Sequence, residues 1–194
     1  DAQESRGLGD VYKRQVLMGY DKANGIRAFH IENQGRGMEF AYPFDAIGPG
    51  KEIGTKLFAD INYRMKLDDR RAGFGFSDGL FLLLNAFVES YDFNMKTGGY
   101  FQVFLIDGRR ETLKTLTKEI NDHRCHLVAE VTRAYRWGFL NRAASQSMIN
   151  RLLIDGEEWE PIEQEMFASS SDPAMLKKYL MGFKPFDAPN KPLS

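Results

Sequence analysis

The sequence predicts an α+β fold in which an antiparallel sheet and a set of helices occupy separate parts of the chain. Apolar runs of strand length, separated by turn signals, come first. Apolar residues at helical spacing dominate the remainder of the chain, interrupted by one further pair of strand-like runs. Helices that come after strands, instead of alternating with them, are typical of α+β layering.

The first strands are predicted from short apolar runs at Val16–Tyr20 and Ile26–Glu32, with an Asn-Gly turn between them. Asn-Gly supplies the positive-φ residues of a tight hairpin, so we expect the two runs to pair. A third run, from Met38 to Tyr42, alternates apolar residues with Glu39 and Ala41 and predicts a strand with one wet face. Together the three runs indicate an antiparallel meander.

Two helices are predicted next. The breaker-rich corner Pro43–Gly50 precedes a helix whose apolar residues share one stripe. These residues are Ile53, Leu57, Phe58, Ile61 and Met65. Ser77 is the expected N-cap of a second helix over Leu80–Ser90. This helix is apolar almost all round, so we expect it to be buried on more than one face.

A second hairpin and a helical region complete the pattern. Tyr100–Ile106 predicts a strand, and the Asp-Gly after it predicts a turn with Arg110–Leu113 returning antiparallel. A long helix is then expected from about Thr115 to Phe139. Beyond it we expect a short helix at Ser147–Ile154 and a solvated turn at Asp155–Glu160.

The last helix has the clearest start signal. Asp172 is the expected N-cap and Pro173 the first helical residue, with the helix running to about Gly182. Lys184–Ser194 contains three prolines and is expected to be a loose tail.

Composition excludes several functional classes. The 26 basic and 27 acidic residues give a net charge of −1, which indicates neither nucleic acid nor an anionic membrane as partner. No apolar run approaches the length of a membrane span. Cys125 is the single cysteine, so no internal disulfide is expected, and a reducing, cytoplasmic compartment is favoured.

The segment Glu4–Gln15, ESRGLGDVYKRQ, looks like the translation of a transposase adapter of the kind joined to DNA fragments before sequencing. A segment of that origin is excluded from fold reasoning. We expect Asp1–Gln15 to pack poorly on the rest, and the domain proper to begin near Val16 as a partial domain. Apolar faces of the first meander should then lie unusually open.

Four stretches resemble, in order, motifs of proteasome-type subunits. Val16–Gln34 resembles the mid-domain hairpin of that family, and Asp45–Gly54 resembles the Gly-rich corner that opens its next helix. Leu80–Ile106 resembles the second helix with its Gly-Gly corner and the following strand. Leu105–Leu113 resembles the closing hairpin. The resemblance covers Val16–Asn121.

This resemblance implies the second half of a four-layer α-β-β-α sandwich of N-terminal nucleophile (Ntn) hydrolase type, plus a helical C-terminal extension. It divides the chain into an adapter-derived segment at 1–15, a partial domain at 16–140, and a helical extension with a tail at 141–194. Enzymes of the family use a threonine freed at the chain start, whose own amine acts as base. By resemblance that threonine lies in the first half of the domain, so no catalytic residue, cofactor or metal ligand is expected here.

The resemblance also implies supporting site residues in two Gly-rich corners. They are Gly48, Pro49, Gly50, Asn94, Thr97 and Gly98. The family has serine where Pro49 and Thr97 stand, and aspartate where Asn94 stands. Pro49 has neither hydroxyl nor N–H, and Asn94 carries no negative charge, so the usual proton network is interrupted. Asp92 would have to be re-aimed to substitute. We expect the two corners to meet in space.

Plainer interpretations of these residues stay open. The first corner is also what an ordinary loop before a helix looks like, and the second fits a helix-to-strand corner with Gly98 in the left-handed region. His123, His126 and Cys125 suggest a metal, but no second ligand pair at a recognisable spacing accompanies them. His30 is interpreted as a structural or surface histidine in a strand. Trp137 and its aromatic neighbours could form a contact patch.

The predicted function is therefore a fragment of a proteasome-like subunit, inactive by itself, whose parent is a threonine-type peptidase in a ring assembly. One alternative is a non-catalytic ring or assembly subunit in which the fold serves packing alone, favoured by Pro49 and Asn94. Another is an unrelated α+β interaction domain. The expected partners are like or unlike ring subunits, and a peptide substrate if the parent is active.

Overall fold

The structure is a computed structural model that describes residues 15–31, 36–39, 46–68, 75–93, 101–107 and 117–181. Within these residues the fold is α+β, as the sequence predicts, with two small antiparallel sheets and six α-helices. The strands are β1 (Gln15–Asp21), β2 (Gly25–Ile31), β3 (Gly37–Glu39), β4 (Val103–Ile106) and β5 (Thr117–Ile120). The helices are α1 (Lys51–Asp68), α2 (Phe76–Phe93), α3 (His123–Arg136), α4 (Arg142–Asn150), α5 (Trp159–Ala168) and α6 (Pro173–Met181).

The predicted first hairpin is confirmed. β1 and β2 pair antiparallel, and β3 adds to β2, giving the order β1-β2-β3. A three-residue loop joins the first two strands, and Asp21 Oδ1 accepts hydrogen bonds from Ala23 N at 2.7 Å and Asn24 N at 2.9 Å. Gly25, the first residue of β2, alone takes a positive φ here, 75°, which glycine adopts at no steric cost. The Asn-Gly signal therefore located the turn, although only its glycine uses the left-handed region.

Both helices after the first sheet are confirmed, and they pack on each other. The role of Ser77 differs from the prediction. It lies inside the first turn of α2, and its Oγ accepts from Asn150 Nδ2 at 2.6 Å and from Gln146 Nε2 at 2.9 Å. The hydroxyl therefore joins α2 to α4 instead of capping its own helix.

The second hairpin is built differently from the prediction. β4 pairs with β5, with Val103 opposite Ile120 and Ile106 opposite Thr117. The expected long helix beginning near Thr115 is therefore wrong over these four residues. Asp122 is the true N-cap of α3, and its Oδ1 accepts from Arg124 N at 3.0 Å. The predicted return strand Arg110–Leu113 lies outside the described residues.

The end of α3 comes slightly before the predicted Phe139. Gly138 has φ 78°, and its N–H donates to the Tyr135 carbonyl at 3.0 Å. The Phe139 N–H reaches back to the Ala134 carbonyl at 2.8 Å. These two bonds are a Schellman motif, which satisfies carbonyls that the last helical turn leaves open.

The region after α3 is more helical than predicted. The helix expected at Ser147–Ile154 begins earlier, at Arg142, because Asn141 caps it by accepting from Ala144 N at 2.9 Å. It continues through a π-helical turn, Arg151–Asp155, that ends where Gly156 turns to φ 75°. The solvated turn expected at 155–160 gives way to α5 from Trp159 onward. The final helix starts as predicted, with Asp172 Oδ1 accepting from Met175 N at 2.9 Å.

The main hydrophobic core lies among α2, the β4-β5 pair and the helices from α3 to α6. Its fully buried side chains come from both sides of residue 140; among them are Phe81, Leu127, Val128, Met148, Ile149, Leu152, Ile162, Met166 and Leu176. The C-terminal helices therefore contribute to the same core as α2 and α3, whereas the resemblance implies that they are a C-terminal extension. None of the described helices is long and apolar enough to cross a membrane.

Candidate functional site

Gly48, Pro49 and Gly50 form the turn that opens α1. Gly48 has φ 90°, a conformation that residues with a Cβ rarely adopt, and its carbonyl accepts from Lys51 N at 3.1 Å. The Gly50 carbonyl accepts from Gly54 N at 3.1 Å, which is an early helical bond. Pro49 is exposed at the tip of this turn. The corner thus has the geometry of a loop that leads into a helix. Its central residue, Pro49, has no hydroxyl group.

Ser90 fastens this corner to α2. Its Oγ donates to the Gly50 carbonyl at 3.1 Å, and the residue is only 7% exposed. A Cβ added at Gly54 would lie 3.7 Å from the same hydroxyl oxygen, so the first turn of α1 passes close to Ser90. The start of α1 therefore lies beside the C-terminal half of α2. Sequence reasoning did not single out Ser90, because a serine inside an apolar helix gives no signal of a partner forty residues away.

The second corner, with Asn94, Thr97 and Gly98, lies outside the described residues. The expectation that the two corners meet in space therefore stays a prediction. Among the described residues, the contact between Gly50 and Ser90 bears most directly on that expectation, since Ser90 stands four residues before Asn94 in the sequence.

An open groove of about 750 Å³ separates α1 from α2 next to the first corner. It is lined by Ile53, Lys56, Leu57, Ala59, Asp60, Glu89 and Phe93. Phe93 is 73% exposed there, and Glu89 is engaged by Arg136 Nη1 at 3.0 Å. The volume is in the range of small-ligand pockets, roughly 300–1,000 Å³. The lining mixes apolar side chains with charges of both signs and does not define a ligand class.

Asp92, which would have to be re-aimed to substitute for Asn94, is engaged in an ion pair. Arg133 on α3 donates to its carboxylate through Nη2 at 2.8 Å and through Nε at 3.1 Å. The Arg133 guanidinium also lies 5.5 Å from the centre of the Tyr91 ring. Because a charge-assisted, bidentate pair of this kind fixes the carboxylate, Asp92 serves to join α2 and α3.

The histidines and the cysteine of α3 are arranged for packing. His123 and His126 lie 5.5 Å apart between ring centres, while Cys125 is buried and its Sγ donates to the Ile120 carbonyl at 3.1 Å. Burial raises the pKa of the Cys125 thiol to about 11. Among the residues that the structure describes, no group of three or more His, Cys, Asp or Glu side chains is placed to hold a metal ion.

The first sheet exposes several large apolar side chains to solvent. Antiparallel partners share a face, and the register places Met18 opposite Ala28, and Tyr20 opposite Ile26. Val16, His30 and Met38 continue the same face across three strands. We call it the apolar sheet face, and define it by Val16, Met18, Tyr20, Ile26, Ala28, His30 and Met38.

The apolar sheet face is open to solvent to an unusual degree. Met18 is 52% exposed, Ile26 44% and Met38 53%. The other face of the sheet carries Leu17, which is 57% exposed, and an ion pair in which Arg27 Nε donates to Glu39 Oε1 at 2.7 Å. One face is thus almost wholly apolar while the other mixes charges with apolar side chains. The sequence prediction of an open first meander is confirmed for the described residues; Phe40 lies outside them.

The aromatic residues near the end of α3 form a local cluster. The Trp137 and Phe139 rings lie 5.3 and 5.8 Å from that of Tyr179 on α6, while Tyr135 meets Phe81 edge-on at 5.0 Å. Tyr179 is 48% exposed, so the cluster reaches the surface.

Comparisons of this chain with protein-family models, with curated proteins and with solved structures find no match. Function is therefore inferred from the residues and from their geometry.

Proposed function

We propose that this chain is a packing module of a proteasome-type assembly, and that its apolar sheet face meets a second sheet. The observation that carries the proposal is the exposed, nearly uncharged face that Met18, Tyr20, Ile26 and Met38 form across three paired strands. Contiguous exposed apolar surface of this kind marks interaction sites.

The energetics favour a covered face. Burying a Met or Ile side chain completely stabilises by roughly 1.5–3 kcal/mol relative to exposure. Four large side chains on this face remain between 37% and 53% exposed. Covering each of them would therefore stabilise the covered state by about 1 kcal/mol. A second sheet is a suitable partner, because stacked sheets bury one face each at about 10 Å separation.

The finer architecture that we propose is the α-β-β-α sandwich implied by the resemblance to proteasome-type subunits. In that arrangement α1 and α2 form one helical layer, and the first sheet faces a second sheet. The second sheet comes from the rest of the parent protein or from a neighbouring subunit, and in the chain by itself the same face of a second copy takes its place. The assembly is proposed to be a ring in the cytoplasm, without nucleic acid or membrane partners.

The chemistry of the first corner supports packing over catalysis. Pro49 offers neither a hydroxyl nor an N–H where the resembled family has serine, and Asp92 is held by Arg133. Gly50 has its carbonyl occupied by Ser90 and by the helix. A corner built in this way anchors a helix and supplies no proton relay.

A second candidate function is a threonine-type peptidase in the complete parent. It is favoured by the Gly50–Ser90 contact, which brings the first corner beside the helix that leads to Asn94 and Thr97. Fluorogenic peptides, assayed on the complete parent with and without a threonine-directed covalent inhibitor, separate the two candidates. Inhibitor-sensitive hydrolysis would support the peptidase, and we expect none.

The test of the packing proposal uses two matched substitutions on one strand. Met18→Lys places a charge on the apolar sheet face, and Leu17→Lys places the same charge on the opposite face at a similarly exposed position. Sedimentation velocity over a range of concentrations should show self-association or aggregation of the wild-type chain. We expect Met18→Lys to shift the distribution towards monomer and Leu17→Lys to leave it unchanged. Equal behaviour of the two variants would contradict the proposal.

A further inference from the structure

The strongest feature outside the proposed packing surface is a group of titratable and aromatic side chains between α3 and α5. His123, in the first turn of α3, lies 4.1 Å from Trp159 between ring centres, and the two rings are inclined by 60°. Trp159 is the first residue of α5. The imidazole and the indole therefore close one end of the α3–α5 interface.

The same interface contains core residues. Ile162 and Met166 of α5 are completely buried and belong to the cluster that includes Leu127, Val128 and Val131 of α3. Any loosening of α5 from α3 exposes these side chains. The His123–Trp159 contact thus lies at the interface that covers these core side chains.

A second histidine, His126, lies close enough to His123 to affect the charge that His123 can carry. The His126 ring lies 5.5 Å from that of His123, and His126 Nε2 lies 3.2 Å from Glu130 Oε1. Both members of that pair are nearly buried, with 11% and 7% of their side chains exposed. A positive charge on His126 opposes a second one on His123, because the rings are close and partly shielded from water.

Several other charged groups surround His123. Glu130 on α3, the N-cap Asp122 and Glu163 on α5 favour a positive charge at His123, whereas burial and His126 oppose it. Burial is the largest influence, followed by His126, and the pKa of His123 is lowered from its ordinary 6.5. The Asp122 carboxylate is itself engaged by Arg124 Nη2 at 2.6 Å, which weakens its stabilisation of a positive charge on His123.

We propose that the His123–Trp159 contact is an acid-sensitive latch that loosens α5 from α3 when His123 takes up a proton. Neutral His123 packs on the indole and fills the end of the interface. Protonated His123 carries a charge into a half-buried position beside His126 and gains by turning towards water. The latch does not depend on the apolar sheet face, so it can fail or succeed independently of the proposed function.

The direction of the pH dependence follows from the lowered pKa. An open or unfolded state binds a proton to this imidazole more readily than the closed state does. The stabilisation is therefore complete above pH 6.5, begins to fall below it, and is lost as the pH passes through the pKa of the closed state.

The test uses Trp159 as its own reporter. Trp137→Phe leaves Trp159 as the only tryptophan, since the chain has two. We expect the emission of Trp159 to titrate with a midpoint below pH 6.5, and the amides of α5 to exchange faster on the acid side after correction for intrinsic rates. His123→Gln, added to that background, should remove both changes. His30→Gln should retain them, because His30 lies on the first sheet.

Two results would overturn the latch: a midpoint at or above pH 6.5, or survival of the transition in His123→Gln. A circular dichroism melt establishes that each variant is folded. If His123→Gln does not fold, the NMR titration of the wild-type His123 ring proton decides the question. A midpoint below 6.5 with concurrent α5 exchange supports the latch, and an ordinary midpoint or unchanged exchange refutes it.

Discussion

Arg133 Nη2 on α3 lies 2.8 Å from Asp92 Oδ1 on α2, and the two side chains are only 5% and 11% exposed. Removing one partner from a buried pair leaves an uncompensated charge, which costs about 3–5 kcal/mol. We therefore predict that Arg133→Met lowers the free energy of unfolding by an amount of that order. Urea denaturation followed by circular dichroism measures it.

The control for this prediction is the exposed pair between Arg142 and Asp78, whose atoms approach to a similar distance, 2.9 Å. Both of its side chains are about half exposed, and such surface pairs contribute roughly 0–1 kcal/mol. Arg142→Met should therefore cost much less than Arg133→Met. Similar losses from the two substitutions would show that burial of the Asp92–Arg133 pair has little energetic weight.

Replacing Gly48, just before α1, and Gly54, in its first turns, by alanine should change the free energy of unfolding in opposite directions. Gly48 has φ 90°, and a Cβ in the left-handed region costs about 1–2 kcal/mol, so Gly48→Ala should destabilise. Gly54 lies inside the helix, where a Cβ meets only ordinary contacts at 3.7 Å. Gly54→Ala should therefore stabilise by up to about 1 kcal/mol through helix propensity.

Thermal and urea unfolding of these two variants provide the check. A stabilised Gly48→Ala would mean that the corner does not require its left-handed turn. A strongly destabilised Gly54→Ala would mean that the space beside Ser90 and Ala46 is tighter than the contact distances indicate.

Sequence patterns located most elements that depend on local signals. The hairpin around Gly25 and the Asp172 cap were predicted because turn and cap chemistry is local. The strand Thr117–Ile120 was mistaken for helix because Ile120 also fits a helical stripe with Leu127 and Val131. Its strand pairing with Val103–Ile106 is a tertiary choice that periodicity does not encode.

The helix α5 was missed for a related reason. Its acidic start, around Glu157 and Glu158, resembles a solvated turn, and its completely buried residues are only Ile162 and Met166. The candidate site was partly predictable, since the Gly48–Gly50 turn follows from its glycines and proline. The partners Ser90 and Arg133 were not, because hydrogen bonds between residues forty positions apart arise only when the helices pack.

The thiol of Cys125 should react slowly with thiol-modifying reagents. Its pKa is raised from 9.0 to about 11, and two pKa units reduce the thiolate fraction at pH 8 by about 100-fold. Since the thiolate is the nucleophile, we predict that a maleimide or disulfide reagent modifies native Cys125 at least about 100-fold more slowly than the urea-unfolded chain. Comparable rates in the two states would contradict the buried position of the thiol.

Because Cys125 reacts slowly, it adds little labelling of its own when introduced cysteines are used to test whether the apolar sheet face is a packing surface. Met18→Cys and Leu17→Cys place a thiol on opposite faces of β1 at residues of similar exposure. The measurement is the rate of maleimide labelling at each position as protein concentration is raised. We predict progressive protection at position 18 and a constant rate at position 17. A constant rate at position 18, or equal protection at both positions, would show that the face does not pack against a partner.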